Sequence, residues 1–283
     1  MGIPDKILDG IDRLEPLPIT VQKLLVALNN AEVDFSEITE AIEYDGAITS
    51  NILRTANSAA YGGRVRVEHI RDAVVRLGTV TLLDIMLIGH LRSLRIAAPH
   101  YSLSENDLWL HGATASLAVK AIIKETHNRK IPEASTIAAL IHDIGKLILA
   151  RYLSTDGPDI STLRQEKNIS LVEAEKEIFG CDHAEVGGAI ARKWSFPELI
   201  TEAIERHHDL SPGEHNLMLD AVILANLTAN NVGAKAEPDG MGLSPDFAGS
   251  YQRIGLTEDG FARVYAQTDA WMQELKQSYG MHQ

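Results

Sequence analysis

Apolar positions recur with a helical period along almost the whole chain. In "PITVQKLLVALNN" the residues Val21, Leu24, Leu25 and Leu28 stand at i, i+3, i+4 and i+7, with Pro18 near the start. That is the stripe of an amphipathic helix. "DFSEITEAIEY" predicts a second helix with Ser36 at its N-cap. "AITSNILRTANSAAYGG" predicts a third, with Ile48, Ile52 and Leu53 on one face and a Gly pair at its end. "VEHIRDAVVRLG" stops at Gly78, a C-cap residue, and "TVTLLDIMLIGHLRSL" follows directly, making five short helices before residue 100. The stretch "AAPHYSLSEND" reads as a boundary between a lobe of residues 1–100 and a lobe of residues 101–283.

In the second lobe, "SENDLWLHGATASLAVKAIIKE" opens with a capping-box pattern, Ser104 and Asp107. "ASTIAALIHDIGKLILARYL", residues 134–153, predicts one helix that is apolar on nearly all sides. "FGCDHAEVGGAIARKWSFP" repeats the capping pattern with Asp182 and Glu185 and ends before Pro197. "PELITEAIERHHD" and "NLMLDAVILANLTANNVG" are two more helices. Residues 231–250, rich in Gly, Pro and Asp, read as loop. A last amphipathic helix carries Phe261, Val264, Tyr265, Thr268, Met272 and Leu275. No stretch alternates in the manner of a strand, so the expected fold is all-α, a helical bundle of two lobes.

Composition agrees with helices: 45% of the 283 residues are hydrophobic, mostly Leu, Ile and Ala, and only 5% are aromatic. Cys181 is the single cysteine, which excludes an intrachain disulfide and a cysteine-based zinc site. A net charge of −13 argues against a broad nucleic-acid surface. The first residues lack a basic and then apolar leader pattern, and the apolar runs look too short and interrupted to span a membrane. A cytoplasmic protein is expected.

One pair does not suit its surroundings. His142 and Asp143 interrupt an apolar helix, and a helix apolar all round is buried. A buried carboxylate must be paired, hydrogen-bonded or bound to a cation. Histidines on three other helices offer the answer. His111 lies on the stripe of Leu108, Ala115, Ala118 and Ile122, and His183 aligns with Val186 and Ile190. His207 continues the stripe of Ile200, Ala203 and Ile204, with His208 beside it. A lone inward His is ordinarily a core residue with a hydrogen bond. Five of them with an Asp on four helices point to a transition-metal site for Fe, Mn, Zn or Ni. His69, His90, His100, His127, His215 and His282 lack such company. Asp107 is explained by its capping position, and Lys146 is either a phosphate or carboxylate partner or a snorkelling lysine.

The order His111, "HDIGK", "DHAEVGGAIARKW" and "HH" resembles the HD superfamily of metal-dependent phosphohydrolases. "LEPLPITVQKLL", "ITEAIEYDGAITSNILRTANSAAYG" and "IRDAVVRLG" resemble the N-terminal half of the HDOD family, with Gly46 where proline is usual. The resemblance covers residues from about 14 to 230. It implies an HD-like second lobe in which His111, His142, Asp143, His183, His207 and His208 match the metal ligands, for one or two ions. It also implies kinship with HD-GYP cyclic-dinucleotide phosphodiesterases. Two departures stand against turnover: "DLSPGEHNLM" follows His208 in place of a GYP loop, and the closing carboxylate falls at Asn226. Asp220 replaces it only under a different alignment.

Three readings follow. The favoured one is a signalling output or docking protein of the HDOD kind, with a metal site and little or no hydrolase activity. Its partners are signalling proteins, without nucleic acid or membrane. No receiver or kinase pattern accompanies the motifs, so input is expected to arrive by association. The alternative is a phosphohydrolase acting on a nucleotide or other phosphoester, with Asp143 and Lys146 catalytic. The third is a metal-free bundle with hydrogen-bonded histidines.

Overall fold

The structure, a computed structural model, describes residues 2–29, 35–58, 65–93, 101, 104, 106–153, 160–211, 215–233 and 247–278. Its helices are α1 (Asp5–Asp12), α2 (Ile19–Asn29), α3 (Phe35–Glu43), α4 (Gly46–Ala56) and α5 (Ile70–Ser93). There follow α6 (Asp107–Thr126), α7 (Ser135–Ile141), α8 (Lys146–Leu149), α9 (Ile160–Lys167) and α10 (Leu171–Phe179). The last five are α11 (His183–Lys193), α12 (Glu198–Glu205), α13 (Leu217–Asn231), α14 (Ala248–Ile254) and α15 (Glu258–Ser278). No strand occurs among the described residues, and the fold is all-α.

The chain divides into one unit of Glu15–Leu94 and another of Met1–Leu14 with Arg95–Gln283. The first helix therefore groups with the second lobe, unlike the division at residue 100. Ile7 and Ile11, one turn apart, are buried on α1, and α1 packs on α8 and α11.

In the unit Glu15–Leu94, α5 packs against α2, α3 and α4 around Val21, Leu24, Ile38, Ile42, Ile52, Leu83 and Leu87. The helices predicted on either side of Gly78 run on as α5, with a non-helical residue at Gly78 (φ 72, ψ 170) that suits a residue without Cβ. By length and composition Ile70–Arg92 is apolar enough to cross a membrane, with mean hydropathy 1.6, contrary to the expectation that every apolar run is too short. Its Ala73, Leu82, Leu83 and Leu87 are fully buried, while Val75 is exposed and 39% of the apolar stretch is buried. Ser36 lies inside α3 and is no N-cap, and α4 ends at Ala56, the Gly pair of the prediction lying outside the described residues. Asn57 then pins the following chain: its amide accepts from Val67 N–H and donates to Val67 O, both at 2.8 Å.

In the larger unit, α6 packs against α7, α13 and α15, while α13 also meets α7, α12 and α14. Two glycines bring these elements unusually close. A Cβ on Gly112 would lie 2.1 Å from Leu140 O, and one on Gly145 would lie 2.0 Å from His183 O. The first seats α7 on α6 beside His111, and the second seats the segment after Asp143 on α11. Part of the expected loop at 231–250 is helical, since α14 starts at Ala248 with Ser250 buried.

Candidate metal centre

The predicted helix over 134–153 is not continuous. It breaks into α7, a turn at residues 142–145, and α8, followed by a 3-10 turn at Ala150–Tyr152. His142 and Gly145 keep right-handed helical dihedrals. The bonds tighten from i+4 to i+3 spacing, with Ile144 N–H to Ile141 O at 2.9 Å and Lys146 N–H to Asp143 O at 3.0 Å. His207 and His208 likewise sit in the turn just after α12, not within it. Of the six predicted ligands only His111 and His183 lie inside helices.

That placement has a physical use. The last carbonyls of a helix lack intrahelical donors. His142 Nδ1 donates to Ala139 O at 2.7 Å, and His207 Nδ1 donates to Ile204 O at 2.7 Å, the same three-residue step back at two helix ends. A carbonyl only accepts, so each ring carries its proton on Nδ1 and turns Nε2 inward. His183 stands in the first turn of α11, whose N-cap Asp182 forms a capping box with Glu185 as predicted. Its Nδ1 donates to Glu175 Oε2 at 2.6 Å, so its Nε2 also faces inward. Glu175, on α10, is fully buried. The sequence reading passed over it, although Leu171, Ala174, Glu175 and Phe179 together form the buried stripe of α10 and mark it as an acid facing the core.

The inward nitrogens converge on Asp143. Its Oδ1 is 3.2 Å from His183 Nε2 and 3.7 Å from His207 Nε2, while His208 Nε2 is 2.9 Å from His183 Nε2. Its Oδ2 is 3.6 Å from the Nε2 atoms of both His111 and His142 and 2.9 Å from Lys146 Nζ. Two groups of candidate ligand atoms therefore share Asp143, one with His183, His207 and His208, the other with His111 and His142. His111, His142, Asp143, His183 and His207 are buried, and His208 is partly exposed. All six predicted residues, and Lys146, are in one cluster.

Electrostatics separate the members. Burial alone would raise the Asp143 carboxyl, but Lys146 and the surrounding imidazoles hold it well below the usual carboxylate range. Burial depresses His142, and depresses His207 and His208 strongly, so all three are neutral imidazoles fit to ligate. Burial also opposes a charge on His183, yet Glu175 and Asp143 outweigh it and push its pKa up to about 9. In the metal-free protein His183 thus keeps a second proton where a cation would otherwise sit.

The donor set fits a metal. Asp143 Oδ1 is buried with no aligned hydrogen-bond donor, and His142, His183 and His207 hold their Nε2 atoms toward the Asp143 carboxylate in the required tautomer. The neighbouring Asn226 completes the His111 side. Its Oδ1 is 3.1 Å from His111 Nε2 and accepts from Asn230 Nδ2 at 3.1 Å. Asp220 is elsewhere: it accepts from Arg253 Nε and Nη2, each at 2.7 Å, and from Ser250 Oγ at 2.7 Å. Asp107 accepts Ser104 N–H at 2.7 Å, the predicted capping contact, although α6 takes Asn106 as its N-cap.

The HDOD domain matches the chain over residues 14–210. A Treponema pallidum (strain Nichols) protein described as uncharacterized is 27% identical over 225 residues, covering 78% of this chain and 43% of that protein. The chain thus spans under half the length of that relative. An HDOD domain protein of Geobacter sulfurreducens shares the fold with a TM-score of 0.72 at 24% identity, over 96% of this chain and 94% of that one. A candidate phosphohydrolase of Shewanella amazonensis gives 0.64 at 20% identity, over 93% and 98%. A candidate signal transduction protein of Marinobacter aquaeolei VT8 gives 0.66 at 18% identity, over 98% and 65%.

Proposed function

The chain belongs to the HDOD domain family, and on that premise we propose that it is a cytoplasmic signalling output or docking protein. In this reading its larger unit holds one metal ion and turns over little or no substrate. The observation that carries it is Asn226. At the His111 side of the cluster a neutral amide, already accepting from Asn230, stands near His111 Nε2 where a second ion would need charge. With Asp143 the single carboxylate among the described candidate ligands and Glu175 behind His183, two dications would bring four positive charges against two negative charges, beside the Lys146 ammonium. One ion at Asp143, His183, His207 and His208 balances far better. Three imidazoles and a carboxylate suit Fe, Mn, Zn or Ni. Burial of five of the six ligands further limits the access a phosphoester would need.

Metal analysis of protein purified without a metal-binding tag tests this. About one ion per chain is expected. Protein without any bound transition metal, even after incubation with Zn2+ or Mn2+, would remove the reading.

The second reading, a metal-dependent phosphohydrolase, is favoured by Lys146 beside Asp143 and by the candidate phosphohydrolases that share the fold. There a bound ion supplies Lewis acidity, Asp143 helps to hold it, and Lys146 neutralises phosphoryl oxygens. Turnover of cyclic di-GMP or a simple phosphoester at ordinary enzymatic rates, lost in Asp143→Ala, would establish it in place of the first. As a signalling protein the chain acts by binding other signalling proteins, with neither nucleic acid nor membrane as partner, and both lobes contribute to that surface.

A further inference from the structure

Glu175 raises a problem of charge. It is fully buried, and its carboxylate accepts from three groups: His183 N–H at 2.9 Å and His183 Nδ1 at 2.6 Å, both on Oε2, and Tyr101 O–H at 2.8 Å on Oε1. None of these donors is a lysine or arginine. A buried carboxylate left without a compensating charge costs several kcal/mol. Among the groups that bond to Glu175, the link to a positive charge is the imidazole of His183, whose far nitrogen lies 3.2 Å from Asp143 Oδ1, while Lys176, bonded to Asp182, also feels the Glu175 charge. Tyr101 is also fully buried, and its hydroxyl holds the second carboxylate oxygen.

We infer that Glu175, held by Tyr101, is a positioning residue of the metal centre, which it serves by orienting His183 and supplying the second negative charge that one dication requires. This rests on the proposed single-ion site. Around that site Asp143, which the ion shares with the Lys146 ammonium, gives one negative charge and Glu175 the other, while the three imidazoles are neutral. Carboxylate, imidazole and metal in series fix the ring and make its free nitrogen a stronger donor, and losing such a partner ordinarily weakens metal binding about 10- to 100-fold. His207 differs, since its Nδ1 meets a backbone carbonyl. Glu175 thus makes His183 a stronger nitrogen donor than His207.

The test compares wild type, Glu175→Gln, Tyr101→Phe and the double variant by competition of Zn2+ against a chromophoric chelator and by the visible absorption of the Co2+ form. Gln keeps an acceptor for both His183 contacts and removes only the charge. Glu175→Gln is expected to bind Zn2+ about 10- to 100-fold more weakly and to shift the Co2+ bands, with helicity unchanged. Tyr101→Phe is expected to lose a few-fold, about 2- to 5-fold, and nothing further in the Glu175→Gln background, because it acts through the carboxylate. Wild-type affinity and spectra in Glu175→Gln would overturn the inference while leaving the metal site standing. Wild type that takes up neither Zn2+ nor Co2+ would overturn both. Should Glu175→Gln fail to fold, wild-type affinity in Tyr101→Phe would by itself refute the inference.

Discussion

Asp143 and Asp220 are both buried carboxylates with histidine neighbours, yet they are neutralised in opposite ways. Asp220 is met by Arg253 through two 2.7 Å bonds, by Ser250 Oγ, and by His215 Nδ1 at 3.2 Å. Those donors join the start of α13 to α14 and close the account of that charge. Asp143 has one oxygen on Lys146 and the other turned, without an aligned donor, toward imidazole nitrogens. Asp220 closes a clamp; Asp143 leaves a place for a cation. What separates a site from a clamp is thus not burial or histidine company but whether the permanent cations already satisfy both carboxylate oxygens.

The sharpest way to break this comparison is to truncate both residues. Asp143→Ala is expected to abolish metal content, while Asp220→Ala keeps it. Bound metal at 100 times its dissociation constant adds about 2.7 kcal/mol of stability by linkage. A strong chelator should therefore lower the melting temperature of wild type and Asp220→Ala, and leave Asp143→Ala unmoved. Asp220→Ala should instead lose about 2 kcal/mol whatever the metal, a figure reduced from the usual cost of breaking a buried pair because the Arg253 side chain is 33% exposed. Equal chelator shifts in all three proteins would erase the distinction.

The next effect concerns how Asp143 is placed. Gly145 lies two residues on, and a Cβ there would meet His183 O at 2.0 Å and Gly187 N at 2.8 Å, both backbone atoms. Gly145→Ala should cost about 3 kcal/mol and lower metal affinity, by forcing the turn away from α11. Thermal unfolding with and without added Zn2+ measures both; a neutral substitution would mean that the close approach is not needed.

How much of this was legible in the sequence follows from the same residues. The six candidate ligands were legible because motif order and apolar stripes both direct them inward. The break after α7 was not, because the turn at 142–145 keeps helical dihedrals at its ends and changes only the hydrogen-bond step, which leaves no mark on periodicity. α1 had a legible stripe, Ile7, Leu8, Ile11 and Leu14, that the sequence reading passed over, while the short α14 carries too few apolar positions to stand out from loop. Glu175 had a signal, an acid on the buried stripe of α10, but its meaning depends on His183 arriving from another helix. Asp220 could be told from a closing ligand only once Arg253 was seen against it.

Titration gives a smaller and more graded effect, read in chelator-treated protein. His183 is raised from the ordinary 6.5 to about 9, so its protonated form contributes stability that is complete below pH 6.5 and is lost as pH rises through 9. His142, His207 and His208 are depressed and stay neutral in the fold, so their contribution is present above pH 6.5 and fades as pH falls below it. Metal-free protein should therefore be most stable near pH 6.5, with an alkaline loss of about 3 kcal/mol at most. Metal displaces the extra proton of His183, so the loaded protein should lose that alkaline limb. Melting temperatures between pH 5 and 10, with and without Zn2+, check this. A metal-free protein no less stable at pH 9.5 than at pH 6.5 would show that Glu175 does not hold a charged ring.

The smallest expected change is the one that would make the two sides of the cluster alike. Asn226→Asp alters one atom type at a side chain only 9% exposed. The new carboxylate would face His111 Nε2, now 3.1 Å from the amide oxygen, and would keep the Asn230 Nδ2 donor at 3.1 Å. Two carboxylates would then flank His111 and His142, and the net positive charge that opposes a second ion would fall by one. Without metal the new group adds a buried negative charge near Asp143, so the metal-free variant should be less stable than wild type by about 1–2 kcal/mol. With metal the order should reverse, and bound ions should rise from about one toward about two per chain. Titration calorimetry with Mn2+ separates the outcomes, since a second binding step should appear in Asn226→Asp alone. Two equal steps in wild type would mean that Asn226 does not limit occupancy, and the single-ion reading would give way to a two-ion site.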